Sequence, residues 1–170
     1  MDILRRYIKT IDSLSRWTGK IFCLVIIPLV GITIYEVVMR KFFNRPTIWV
    51  FEISNQLYGL HFMMGAAYAL LMGAHVSVDV FYRYLSARGK AIVDVIGFLV
   101  FFFPFCIIIL WKGLQFAALS WGMWETSPSA FHPALYPIKT IIPITAGLLL
   151  LQGLAVFLKK VHFALRGTEI

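Results

Sequence analysis

His61 and His75 lie fourteen residues apart in one largely apolar stretch. Histidines at about that spacing on a membrane helix can hold two haems, provided a second helix gives each haem another axial histidine. The remaining histidines, His132 and His162, fall outside the apolar stretches, so the ligand set for that chemistry is incomplete. His75 and Asp79 are one helical turn apart and could offer a metal two ligands. A metal site needs more than two, and helix-end packing or capping is the simpler role. Glu36 and Arg40 are four apart and can pair on one helix face. Glu52 and Gln56 share a face by the same spacing, and Lys139 opens a later apolar stretch. Charges inside an apolar segment are costly in lipid, so each is a functional candidate. Glu36, Arg40, Glu52, Lys112 and Lys139 all read as lying near the ends of their stretches, toward one membrane face. A cluster joining Arg40, Glu52 and Lys139 at that boundary is expected. It would hold helix ends together or meet a neighbouring subunit; the sharper alternative is guiding an ion or substrate, which would need a chain of polar groups at the membrane midplane that the sequence lacks.

Cys23 and Cys106, the only cysteines, sit inside apolar blocks and read as small core residues. There is no phosphate loop, nucleophile elbow or pair of carboxylates on a cleft-forming element. The expectation is a protein without catalytic residues, cofactor or metal.

The elements that must position these residues follow from composition. Of the 170 residues, 60% are hydrophobic and only 14% charged. A soluble domain carries about a quarter charged residues. The apolar residues come in long blocks, which places the chain in the membrane class. The expected fold is an all-α integral membrane protein with four transmembrane helices, over about 20–43, 48–73, 91–119 and 136–158. These form a single membrane domain spanning 1–170. Arg5, Arg6, Lys9, Arg16 and Lys20 precede the first span, Arg83, Arg88 and Lys90 follow the second, and Lys159, Lys160 and Arg166 follow the fourth. That bias predicts both termini in the cytoplasm. It also explains the net charge of +8 without nucleic acid. The first span lacks a small-residue cleavage site and reads as a retained helix.

Residues 1–18 predict an interfacial amphipathic helix. Leu4, Tyr7, Ile8, Ile11 and Leu14 form its apolar stripe, and Trp17 is its anchor. Membrane lipids would be its partner. Gly65, Ala69 and Gly73 repeat at four-residue spacing and predict a face for close helix packing. Pro28, Pro104 and Pro143 predict kinks. The loop after the third span carries Trp121, Trp124 and Glu125, which suit an interfacial anchor or contact with a soluble partner. Glu52, at a span end, is expected to matter more than Glu125.

From Glu36 to Phe81 the chain reads EVVMRKFFNRPTIWVFEISNQLYGLHFMMGAAYALLMGAHVSVDVF. Arg40 with a following aromatic, Trp49, Glu52, the Gly65–Ala66–Ala67 run and His75–Val76–x–Val78–Asp79 together resemble the small membrane subunit of TRAP (tripartite ATP-independent periplasmic) transporters, the DctQ family. Residues 137–153, with Lys139, Pro143 and Gln152–Gly153, resemble it too. The resemblance implies a bacterial inner-membrane protein. Its partners would be a large membrane subunit, holding the sodium and substrate sites, and a periplasmic substrate-binding protein. It implies sodium-driven uptake, often of organic acids, with this chain as a brace. Arg40, Trp49, Glu52, His75 and Asp79 would be the family-motif positions, structural or at a subunit interface. Two other readings compete: a membrane-anchor subunit of a quinone-linked redox enzyme, and a self-contained four-helix channel or exporter.

Overall fold

The computed structural model describes residues 2–73 and 86–166. In lipid every backbone N–H and C=O must be paired within the protein, and a helix does this within one segment. The described residues are accordingly helical: α1 (Asp2–Cys23), α2 (Ile26–Phe42), α3 (Val50–Leu71), α4 (Ala87–Gly97), a π-helical turn (Phe98–Phe102), α5 (Phe103–Gly122) and α6 (Tyr136–Arg166). An isolated bridge between Thr126 and Ala134 closes the loop before α6.

Local chemistry sets the boundaries. Pro28 has no N–H for the Leu24 carbonyl. Ile27 donates to that carbonyl instead, at 3.1 Å, and the helix tightens locally there while α1 and α2 continue as one run from Arg5 to Phe42. The Ser86 hydroxyl caps α4 by accepting the Gly89 N–H at 3.2 Å. The π turn ends where the Phe103 N–H reaches back to the Phe98 carbonyl. It lies just before Pro104, which has no N–H to give the preceding turn. Gly73 ends α3 at φ +67°, a left-handed conformation that costs glycine little.

The sequence reading of four spanning helices is corrected to three. Among the described residues the helices long and apolar enough to cross a membrane are Arg5–Phe42, Arg88–Gly122 and Tyr136–Leu165. α3 has the length, 22 residues, or about 33 Å. Glu52, Asn55, Gln56 and His61 take it below the apolarity of the other three. It packs instead against α1, α2 and α6, and His61 Nδ1 donates to the Phe22 carbonyl oxygen at 2.8 Å.

α6 is the centre of the bundle, touching α1, α3, α4 and α5. Its residues Thr145, Ala146, Gln152 and Ala155 are buried. Small residues allow the closest approaches. A Cβ on Gly19 would collide with Tyr68, and one on Gly153 with the Phe102 ring. A Cβ on Gly113 would stand 3.1 Å from Ile142 and 3.3 Å from the Pro143 nitrogen. α2, by contrast, packs on α3 and has no buried residue.

The apolar stripe expected on the N-terminal helix divides. Ile8 and Ile11 are buried with Ala155, and Leu158 packs against them. Tyr7 and Leu14 face outward, as does Trp17. α1 therefore buries one face in the bundle and presents a different one, with Arg5, Arg6 and Lys9, outside.

Candidate functional site

Polar side chains gather at the two ends of the bundle. At the loop end, α3 begins with Glu52 and, one turn on, Gln56. The Ser127 hydroxyl donates to Glu52 Oε1 at 3.0 Å, and Gln56 Nε2 donates to the Ala134 carbonyl at 3.2 Å. Two successive turns of one helix thus tie down both strands of the loop over 123–135. Within the loop, the Ser127 N–H donates to the Pro133 carbonyl and the Leu135 N–H to the Glu125 carbonyl, each at 2.9 Å.

The ends of α5 and α6 fasten to the same loop. Lys139 pairs with Glu125, and its ammonium also lies 4.1 Å from the centre of the Phe116 ring. The bond from Lys139 holds the Glu125 carboxyl below its ordinary value. Trp121 Nε1 donates to Thr140 Oγ1 at 2.8 Å. The Trp121 and Trp124 rings lie 4.4 and 5.3 Å from the Tyr136 ring, measured between centres. α5 ends in a Schellman turn: the Glu125 N–H reaches the Ser120 carbonyl and the Trp124 N–H the Trp121 carbonyl. The left-handed position, usually glycine, is Trp124 at φ 48°. Such a conformation costs a bulky residue about 1 kcal/mol or more. The contacts with Trp121 and Tyr136 hold it there.

Arg40 pairs with Glu36 at 2.8 Å. Glu36 also takes the Thr47 N–H at 3.1 Å and the Thr47 hydroxyl, which closes the α2–α3 connection. Trp49 stacks on Tyr35 with ring centres 6.1 Å apart. The expected cluster of Arg40, Glu52 and Lys139 is therefore replaced by separate ties to Glu36, Ser127 and Glu125. Glu125 is not a bystander in the loop, because it carries the partner charge of a Lys139 side chain only 16% exposed. Lys112 is not near a helix end, since α5 runs on to Gly122. Gly65 faces open space within this chain, and Ala69 is half-buried. Close packing falls on Ala67, 1% exposed, in place of the Gly65–Ala69–Gly73 stripe. His75 and Asp79 lie outside the described residues. Among the described residues, no three His, Cys, Asp or Glu side chains converge.

The opposite end holds a network the sequence reading missed. Ser15 donates to Gln152 Oε1 at 2.7 Å, and Gln152 Nε2 donates to Asp12 at 3.0 Å. Lys159 reaches the other Asp12 oxygen at 2.6 Å, and Lys160 pairs with Asp94 at 2.8 Å. These bonds join the middle of α1 to the second half of α6 and the last turn of α4 to Lys160; with Ile8 against Ala155, α1 and α6 run antiparallel, and the start of one lies beside the end of the other. The available signal was Gln152 itself, an amide in an apolar span that must find a partner.

The model of a protein family described as tripartite ATP-independent periplasmic transporters, DctQ component, matches residues 29–162. No curated protein matches the chain.

Proposed function

The chain belongs to the DctQ component family of tripartite ATP-independent periplasmic transporters, and from this we propose that it braces the large membrane subunit of a sodium-driven importer of organic acids. The family makes it the small membrane component of a tripartite ATP-independent periplasmic transporter, working with a large membrane subunit. The rest is our reading. The end holding both termini faces the cytoplasm of the bacterial inner membrane, and the loop end faces the periplasm. The excess of Lys and Arg near the termini supports that orientation. Arg40, Trp49, Glu52, Gln56 and Lys139 fix helix ends. Gly65 and Ala69 leave a smooth face that suits a helix of the large subunit.

One observation carries the bracing role: ion pairs fasten helices and loop at the two ends, and α6 packs against four other helices. Such a bundle is a rigid support. Solute transport needs polar groups in depth and a moving element. We further assign the loop over 123–135 as a docking surface for the periplasmic binding protein. Trp124 and Met123 are 66% and 60% exposed there, and the ties to Glu52 and Gln56 hold the loop in one shape.

The test is reconstitution. The large subunit with its binding protein should import an organic acid down a sodium gradient only when this chain is present. Import by this chain alone in liposomes would overturn the bracing role. Import by the large subunit without this chain would do the same.

A further inference from the structure

Among the described residues, Lys112 is a charge inside an apolar helix that no carboxylate of its own chain meets. It lies on α5 within a helix apolar enough to cross a membrane. The aromatic group of Trp121, Trp124 and Tyr136 marks the level where such rings favour the membrane surface. Nine residues separate Lys112 from Trp121, which is about 14 Å along the helix. A lysine side chain recovers less than half of that distance by extending toward the surface.

The other cations that bridge helices each meet a carboxylate. Lys139 meets Glu125, Lys159 meets Asp12 and Lys160 meets Asp94. The contacts of Lys112 are the Gln115 amide oxygen at 3.4 Å and the Trp111 ring, 5.8 Å from its centre. Neither neutralises it. The side chain is exposed on the bundle's outside, so in the isolated chain it would face lipid. Its surroundings form an open groove between α5 and α6, lined by Ile109, Gly113, Phe116, Leu119 and Ile142. Gly113 keeps the floor low, because a side chain there would strike Ile142. Gln115 adds a second polar group beside the ammonium.

A cation at this depth, in a shallow apolar groove, is costly in lipid and is resolved by an opposite charge. We propose that the groove around Lys112 seats a transmembrane helix of the large subunit that carries an Asp or Glu side chain opposite the ammonium. The assignment rests on the subunit role proposed above and names the contact through which it is exercised. The carboxylate would accept from Lys112 Nζ and from the Gln115 amide, while apolar side chains of the same helix fill the space over Gly113 and against Leu119. Phe116, already under the Lys139 ammonium, closes the groove toward the loop end.

The test is retention of the large subunit when a tagged form of this chain is purified from membranes that contain both. Lys112→Glu should lower the recovered large subunit by about tenfold or more, as expected when one member of a desolvated charge pair is reversed. Lys112→Arg should keep recovery within about twofold, as should the controls Lys41→Glu and Arg45→Glu. A photo-crosslinking residue at Leu119 should capture the large subunit. Undiminished recovery with Lys112→Glu would overturn the proposal, as would a Leu119 crosslink to lipid alone. If Lys112→Arg is also lost, the charge is not what the groove supplies, and the proposal fails. If the unaltered chain recovers no large subunit, the failure belongs to the subunit role itself.

Discussion

The two ends of this bundle use the same chemistry at different depths. At the terminal end Gln152 is fully buried and Ser15 is 1% exposed; Ser15 donates to Gln152, which donates to Asp12. At the loop end the ties reach groups nearer water: half-buried Glu52 bonds the buried Ser127, Glu125 pairs with Lys139, and the exposed Arg40 pairs with Glu36. A bond closed to water strands its partner when broken, whereas one near water is replaced by solvent. The terminal end is thus built to hold its geometry, and the loop end is built to present a surface.

The largest test of that contrast is Gln152→Leu. It strands Ser15 and removes a partner of Asp12, and should cost about 3 kcal/mol, read as a fall in the thermal midpoint of the purified protein. Loss no greater than that from a loop-end change would break the comparison. Next is Gly19→Ala, which forces a methyl into the Cβ of Tyr68 and should cost about 2 kcal/mol by overpacking, while Gly65→Ala, in open space, leaves the midpoint unchanged. At the loop end, Glu52→Ala should cost about 1 kcal/mol and loosen the loop over 123–135, seen as faster amide exchange there.

A smaller effect is pH-dependent. Lys139 depresses the Glu125 pKa in the folded protein, so the contribution is present above the carboxyl's unfolded value. It is lost as pH falls through the folded one. Glu125→Gln should therefore lower the midpoint at neutral pH and lose its effect in acid below the ordinary carboxylate range. The smallest concerns Trp124. Trp124→Gly relieves the left-handed backbone and Trp124→Ala does not, so, after the entropy glycine adds to the unfolded chain, the glycine variant should be the more stable by about 0.5 kcal/mol.

Much of the architecture is legible in the sequence, because lipid leaves the backbone few choices. The Glu36–Arg40 pair and the shared face of Glu52 and Gln56 follow from helical spacing within one element. Partners across elements are another matter. Nothing in the spacing of Ser127 or Thr140 announces that Glu52 and Trp121 will reach them. The helical repeat found the apolar residues of α1 but could not tell Ile8, which meets Ala155, from Tyr7, which faces out. Small residues at regular spacing pointed to Gly65 and Gly73, yet the close contacts fall at Gly19, Gly113 and Gly153. There the deciding fact is the size of the side chain on the opposite helix. α3 looked like one more span because its length suffices, while Glu52 and Gln56 are met by the loop over 123–135 and His61 by α1.

The π turn at Phe98–Phe102 acts as a phase setting for everything after it. One surplus residue wound into that turn advances α5 by roughly 100° relative to an uninterrupted helix. That offset is what aims Cys106, Gly113 and Ala117 at α6. Excising a single phenylalanine there would leave composition and hydropathy almost untouched, yet rotate the whole seam away from its mate and turn the groove beside Lys112 toward a different quarter of the membrane.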